Sequence, residues 1–342
     1  MALPTGVVYY PFIRIPQHEA MTRLLLYWDD VATIVPDLWA DYSAESRREL
    51  LGEFTDKLVD AGLVTMAVPD WTLGESLAPF KEYLVGLPDN IRDRRVRQFE
   101  NGPRTRVHRG KFADSGLLQF LSDPRLASES SDPMWIEVEP DTANEFMAAL
   151  ALVVGMGSPS IMFRGPRTRR IPVTTHRPAL SAFEGVDSGV KARDPMAELS
   201  RIRTSVLDDV FPAPKSLVSA DWIIDVRARY GDLLRDFRLA VEGRILEILQ
   251  TPVDTRDWTK DLRTDQMNRD MERIEDALKD HPLDRVERIT FAVLQELPGL
   301  GRLFKVARAV ASEVDTPAVP SATLETDLAY GAFIRTELSA LS

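Results

Sequence analysis

The chain has 342 residues, 44% of them hydrophobic and 28% charged, with a formal net charge of −11. That length supports a substantial core in one large or two ordinary domains, and the acidic balance argues against general affinity for nucleic acid or an anionic membrane. Cysteine is absent, which excludes disulfides, thiolate metal sites and cysteine nucleophiles, and fits a reducing, cytoplasmic setting.

The opening stretch, MALPTGVVYYPFIRIP, lacks a basic start followed by a long apolar core, so no secretory signal is expected. No run of about 18 uncharged apolar residues occurs, so no membrane-spanning helix is expected either. Four apolar runs each break at a proline: VVYYP at Pro11, ATIVP at Pro36, TMAVP at Pro69 and IEVEP at Pro140. In three of them an acid follows at once, namely Asp37, Asp70 and Asp141. Proline cannot donate to a sheet ladder, so each run reads as a strand that stops and hands over to a loop or helix.

In chain order, strands are expected over residues 6–14, 31–35, 63–68 and 134–138. Helices are expected over 17–28, 43–61 (capped by Ser43 and stopped by Gly62), 73–84 and 142–154. Two further short strands, 161–163 and 171–175, flank a basic turn. Strand alternating with helix predicts a parallel or mixed sheet with crossover helices, and continuous apolar strands predict cover on both faces. In such a sheet all exits share the carboxyl edge, where ligands bind. Asp37, Asp70, Glu139 and Asp141, with Tyr9, are therefore expected on one rim. Two readings apply: helix caps and turn formers, or a carboxylate cluster for acid–base work or a hard cation. No specific metal-ligand spacing supports the second, so neither a metal nor a cofactor is expected.

Residues 91–111 hold eight basic residues against two acids, and 164–177 hold five against none. The pentapeptide GPRTR occurs in both, at Gly102–Arg106 and Gly165–Arg169. Gly-Pro breaks regular structure, so both copies read as loops. Arg104, Arg106, Arg109, Arg167, Arg169 and Arg170 are the candidate anion-binding residues, because guanidinium forks suit phosphate and carboxylate. Neutralisation of the chain's own acidic surface and docking of an acidic partner are the competing readings. His108 and His176 lie near the two copies, with no serine or carboxylate at a catalytic offset.

From about Asp194 the strand signal disappears. Residues 219–250 form a long amphipathic run, with Trp222, Ile223, Val226, Tyr230, Leu234, Phe237, Val241, Ile245 and Ile248 at helical spacing and Gly231 as a candidate break. A polar helix is expected over 257–280, suited to a solvent-facing or coiled-coil role. Further helices are expected over 284–297, over a basic amphipathic stretch at 300–311, and over 324–341. The division is thus an α/β domain, 1–193, and an all-α domain, 194–342.

YYPFIRI followed by LLLYWDDVATIVP resembles the start of an uncharacterised bacterial family, a domain of unknown function. NEFMAALA, PVTTHRP and DVRARYGDLLRDFR resemble the same family's middle and helical motifs. The resemblance implies a cytosolic bacterial accessory protein, a part of a multi-gene system such as anti-phage defence, and supplies no catalytic residues.

These readings converge on a non-catalytic interaction or regulatory subunit with a protein partner, or a homo-oligomer, through its helical domain. The alternative is an enzyme or binding protein for a phosphorylated or nucleic-acid ligand, using the rim carboxylates and the arginine loops. A second alternative is a membrane-acting effector through residues 300–311. Nucleic acid and membrane are the less favoured partners.

Overall fold

The computed structural model describes residues 6–36, 43–69, 73–112, 115–157, 161–163, 170–174, 195–211, 214, 217–279 and 326–340. The chain is α/β in its first part and helical in its second, and it divides into two compact units. The first comprises Met1–Asp194 with Leu217–Asp225; the second comprises Pro195–Ser216 with Val226–Ser342.

In the first unit the strands are β1 (Gly6–Tyr9), β2 (Asp30–Ile34), β3 (Val64–Pro69), β4 (Thr105–His108), β5 (Ala127–Glu129), β6 (Trp135–Val138), β7 (Ile161–Phe163) and β8 (Arg170–Val173). The helices are α1 (Glu19–Tyr27), α2 (Ala44–Asp60), α3 (Leu73–Ser76), α4 (Ala78–Val85), α5 (Asp89–Asn101), α6 (Ser115–Ser122) and α7 (Pro140–Gly155). The main sheet has the order β7-β3-β2-β1-β8. Strands β8, β1, β2 and β3 are parallel, and β7 runs antiparallel on the edge beside β3.

Both faces of this sheet are covered, as the unbroken apolar strands require. One row (Val8, Ala32, Ile34 and Ala67) joins the large core with Phe146, Leu150 and Val154 of α7. The alternate row, Met66 and Val68, packs with Val35 against Leu51 and Val59 of α2.

The WIEV segment departs from expectation. It forms β6, the centre of a separate antiparallel sheet of order β4-β6-β5. Glu139 and Asp141 therefore do not sit on the carboxyl edge of the parallel sheet. Pro140 opens α7, as its fixed φ favours, but the cap is the acid before the proline, not the one after it. Glu139 accepts hydrogen bonds from the Asp141 and Thr142 amides at 3.1 and 2.7 Å. The basic stretch also differs: α5 occupies its first half, and the first GPRTR copy ends inside β4.

The segment leaving β1 is held by side chains along its length. Lys111 donates to the Pro11 carbonyl at 3.0 Å, and Thr33 to the Ile13 carbonyl at 2.8 Å. The Ile15 amide donates to Thr55 Oγ1 at 3.0 Å. Arg14 reaches α2 where that helix is broken at Gly52 (φ 75°, ψ 155°).

Among the described residues the second unit holds α8 (Pro195–Val210), α9 (Ala220–Gln250, whose first residues count with the first unit), α10 (Arg256–Lys279) and α11 (Ala329–Ala340). Helix α9 passes through Gly231 without a break. Its expected stripe is the core face: Val226, Leu234, Phe237, Val241, Ile245 and Ile248 are buried. Phe211, Phe237 and Tyr330 form an aromatic trio with centroids 5.7 to 6.2 Å apart. The expected helices at 284–297 and 300–311 lie outside the described residues. Among the described residues no helix is long and apolar enough to cross a membrane.

Candidate functional site

Asp37, Asp70, Arg167, Arg169 and His176 lie outside the described residues. Glu139 is fully buried, and its carboxylate is committed to the start of α7, taking the Thr142 hydroxyl at 2.8 Å as well as the two amides. A carboxylate accepting three hydrogen bonds in the core serves as a helix cap, the first of the two readings given for these acids. Asp141 is exposed on the first turn of the same helix. Among the described residues no group of three or more His, Cys, Asp or Glu side chains is placed to hold a metal ion.

The described loop arginines face the chain's own acids. Arg104 donates to Glu137 at 2.7 Å and lies 4.7 Å above the Phe99 ring. Arg109 donates to Glu129 at 2.8 Å and to the Pro133 carbonyl at 2.9 Å. Arg106 is exposed on β4, opposite Glu137 in the ladder. Arg170 is buried on Asp30, with Nη2 at 2.8 Å and Nε at 3.0 Å. Arg104, Arg109 and Arg170 thus each hold a carboxylate, and they do not converge on a cleft among the described residues.

Two buried polar clusters were not foreseen. In the first, Arg95 of α5 makes a fork–fork pair with Glu145 of α7, both contacts at 2.6 Å. Tyr83 adds its hydroxyl to Glu145 at 2.9 Å, and burial, then the Glu145 charge, pushes this phenol up to about 12. Burial opposes the Arg95 charge, but the hydrogen bonds to Glu145 override it and raise its pKa. In the second, the Lys111 amine is buried against the Pro11 carbonyl, and burial pushes its pKa down to about 7. His108 sits beside it, lowered by burial and then by the Lys111 charge, against the opposing field of Asp132.

A solvent-facing cluster of like charges lies in the second unit. A cleft of about 350 Å³ is lined by Arg244 of α9 and by Arg263, Gln266, Arg269, Asp270 and Arg273 of α10. Residues 263, 266, 270 and 273 recur at three and four, so they share one face of α10. The adjoining face of that helix, about a quarter-turn round, carries Met267, Met271 and Ile274 into the core, which fixes how α10 is rotated. Among the described residues four guanidiniums therefore meet one lining carboxylate.

Local contacts hold these arginines in place without closing the cleft. Arg263 donates to Gln266 at 2.9 Å, Arg269 Nε to the Asp265 carbonyl at 3.2 Å, and Arg273 to Asp270 at 3.0 Å. Glu247 at the edge lies 3.2 and 3.4 Å from Arg244 Nη1 and 3.0 Å from Arg263 Nε. In the sequence these arginines look like ordinary charges on two solvent-facing helices. Only the packing of α9 beside α10 brings Arg244 to the others.

Comparison with protein families, with curated proteins and with solved structures finds no match.

Proposed function

We propose that the protein is a non-catalytic, ligand-binding regulatory module whose helical unit takes up a phosphorylated or polycarboxylate anion. The observation that carries this reading is the convergence of Arg244, Arg263, Arg269 and Arg273 on one open cleft. Like charges so placed repel one another, and an anion bound among them relieves that repulsion. Guanidiniums remain protonated at any physiological pH and present planar forks of donors, so they hold oxyanions by charge and by geometry. They are poor proton carriers. Gln266 is inert, and Asp270 is engaged by Arg273, so the lining suits retention of a ligand over its conversion.

The acidic balance of the chain supports a small ligand over a nucleic acid, since a polyanion that long meets repulsion beyond the cleft. The test is calorimetric titration with tripolyphosphate and with citrate at low salt, on the wild type and on the Arg269→Ala/Arg273→Ala double variant. Both side chains are exposed, so the variant is expected to fold. Expected is wild-type binding that weakens as salt rises, and loss of about tenfold or more in the variant. Absence of heat with both anions at millimolar concentration removes the reading.

A further inference from the structure

We infer that Glu247 is a built-in stand-in anion at the edge of the arginine cleft, and that the ligand which displaces it from Arg244 and Arg263 carries a diphosphate or longer polyphosphate group. The inference rests on the anion-binding reading above and deepens it.

The argument comes from comparing three arginine–glutamate contacts in one molecule. Arg95–Glu145 and Arg203–Glu242 are closed pairs. Each uses two nitrogens on two oxygens, at 2.5 to 2.6 Å, with side chains only 4 to 7% exposed. Such bidentate, desolvated pairs are structural and do not exchange readily.

Glu247 is held in another way. Both its oxygens share the single Nη1 of Arg244, at 3.2 and 3.4 Å. Arg263 Nε lies 3.0 Å from Oε2, yet this buried nitrogen makes no hydrogen bond. The Glu247 side chain is 42% exposed. A carboxylate within charge range of two guanidiniums, bidentate to neither and open to water, is a weak occupant that a better anion replaces. Exposed pairs of this kind contribute little to stability, so displacing Glu247 costs little.

The arginines also divide into two sets, which points to the ligand class. Arg244 and Arg263 share Glu247, whereas Arg269 and Arg273 lie further along α10, with Asp270 on Arg273 alone. From Arg263 to Arg269 is six residues, about 9 Å of helix rise. One phosphate group cannot satisfy both sets, but two or three linked phosphates can. Among the described residues no aromatic side chain lines the cleft, so recognition is of the phosphates and not of a stacked base.

The experiment is calorimetric titration with orthophosphate, pyrophosphate and ADP, on wild type, Glu247→Gln, Arg263→Gln and the double variant. An Asp265→Asn variant controls for the general loss of a nearby negative charge. Expected is pyrophosphate binding about tenfold tighter than orthophosphate, and a several-fold gain in Glu247→Gln that exceeds the gain in Asp265→Asn. That gain disappears when Arg263 is also changed, because the freed guanidinium is what the ligand takes. ADP binding no tighter than pyrophosphate supports a phosphate-only site. ADP binding much tighter overturns that restriction to phosphates. Equal affinity for orthophosphate and pyrophosphate, or a Glu247→Gln gain that survives without Arg263, overturns the inference while leaving the proposed function intact. Absence of binding by all three anions in every variant sinks both.

Discussion

Arg170 and Asp30 form an ion pair across an intervening strand. In the register of the main sheet, Gly6 of β1 is opposite Asp30 on one side and Arg170 on the other. The arginine passes over Gly6 to place Nη2 2.8 Å from Asp30 Oδ2, with its own side chain wholly buried. Gly6 makes this possible: a Cβ there stands 2.3 Å from Asp30 Oδ1 and 2.7 Å from the Asp30 carbonyl oxygen. A candidate ligand-binding arginine is thereby a structural tie between β8 and β2.

Gly6→Ala is expected to break this tie. Removing one partner of a buried pair leaves an uncompensated charge and costs about 3 to 5 kcal/mol. Displacing Asp30 without deleting it costs less, so urea unfolding of Gly6→Ala is expected to show a loss of about 2 to 3 kcal/mol. Arg170→Met, which removes the charge but keeps the stem, leaves Asp30 unpaired and should show the larger loss, about 3 to 5 kcal/mol. Full stability in both variants contradicts the tie.

The kink in α2 yields a second expectation. Where Gly52 leaves helical geometry, carbonyls of the preceding turn lose their partners. The Arg14 guanidinium takes two of them, Glu49 at 2.6 Å and Leu50 at 2.8 Å. Arg14 is exposed, so a surface role predicts almost no effect from Arg14→Ala. The capping role predicts a loss of about 1 to 2 kcal/mol, with faster amide exchange in residues 49–56. Unchanged exchange there removes the capping account. This arginine belongs to the YYPFIRI stretch, so part of that motif serves to cap a broken helix.

Much of this was legible in the sequence, and the misses have physical causes. VVYY, VATI and TMAV are apolar without alternation, which is what burial on both faces demands, and they became the parallel core strands. WIEV resembles them in leading to a proline, Pro140. Its polar Glu137 between buried Ile136 and Val138 carries the period-two signal of a one-sided antiparallel strand. The partners of the buried arginines were not legible. Glu145 lies 50 residues from Arg95, and Asp30 lies 140 from Arg170. The cleft was hidden for a related reason, since charge at helical spacing says which face is polar but not which other polar face it meets.

Gly331 shows packing that periodicity does not reveal. A Cβ at this position in α11 stands 2.6 Å from Met271 Sδ on α10 and 2.6 Å from Phe237 Cε2 on α9. Both neighbours are fully buried, or nearly so. Gly331→Ala should gain slightly in helix propensity, by about 1 kcal/mol, yet overpacking costs about 1 to 3 kcal/mol. The net expectation is a lower midpoint of thermal unfolding. Shortening Met271 to alanine in the Gly331→Ala background should cost less than the same change in the wild type, because the two alterations share one space. Additive effects contradict the contact.

The buried Lys111 predicts a pH dependence with a definite sign. Its pKa stands near 7 in the folded chain against an ordinary 10.5, so between these values the unfolded state binds one more proton. Stability therefore rises with pH across this window, by about 1.4 kcal/mol per unit from this group. Below pH 7 the amine is charged in both states and the penalty is fully present without further slope. The other groups beside it do not mimic this window. His108 is lowered from its ordinary value of 6.5, and the Tyr10 hydroxyl is raised by burial beyond its ordinary range. Lys111→Met keeps the stem and removes the titrating group, at the cost of leaving the Pro11 carbonyl without its donor, about 1 kcal/mol. Urea unfolding at pH 6.5, 8 and 9 is expected to show the wild type gaining on the variant as pH rises, with the variant the more stable at pH 6.5. Parallel profiles for the two proteins contradict a neutral buried amine.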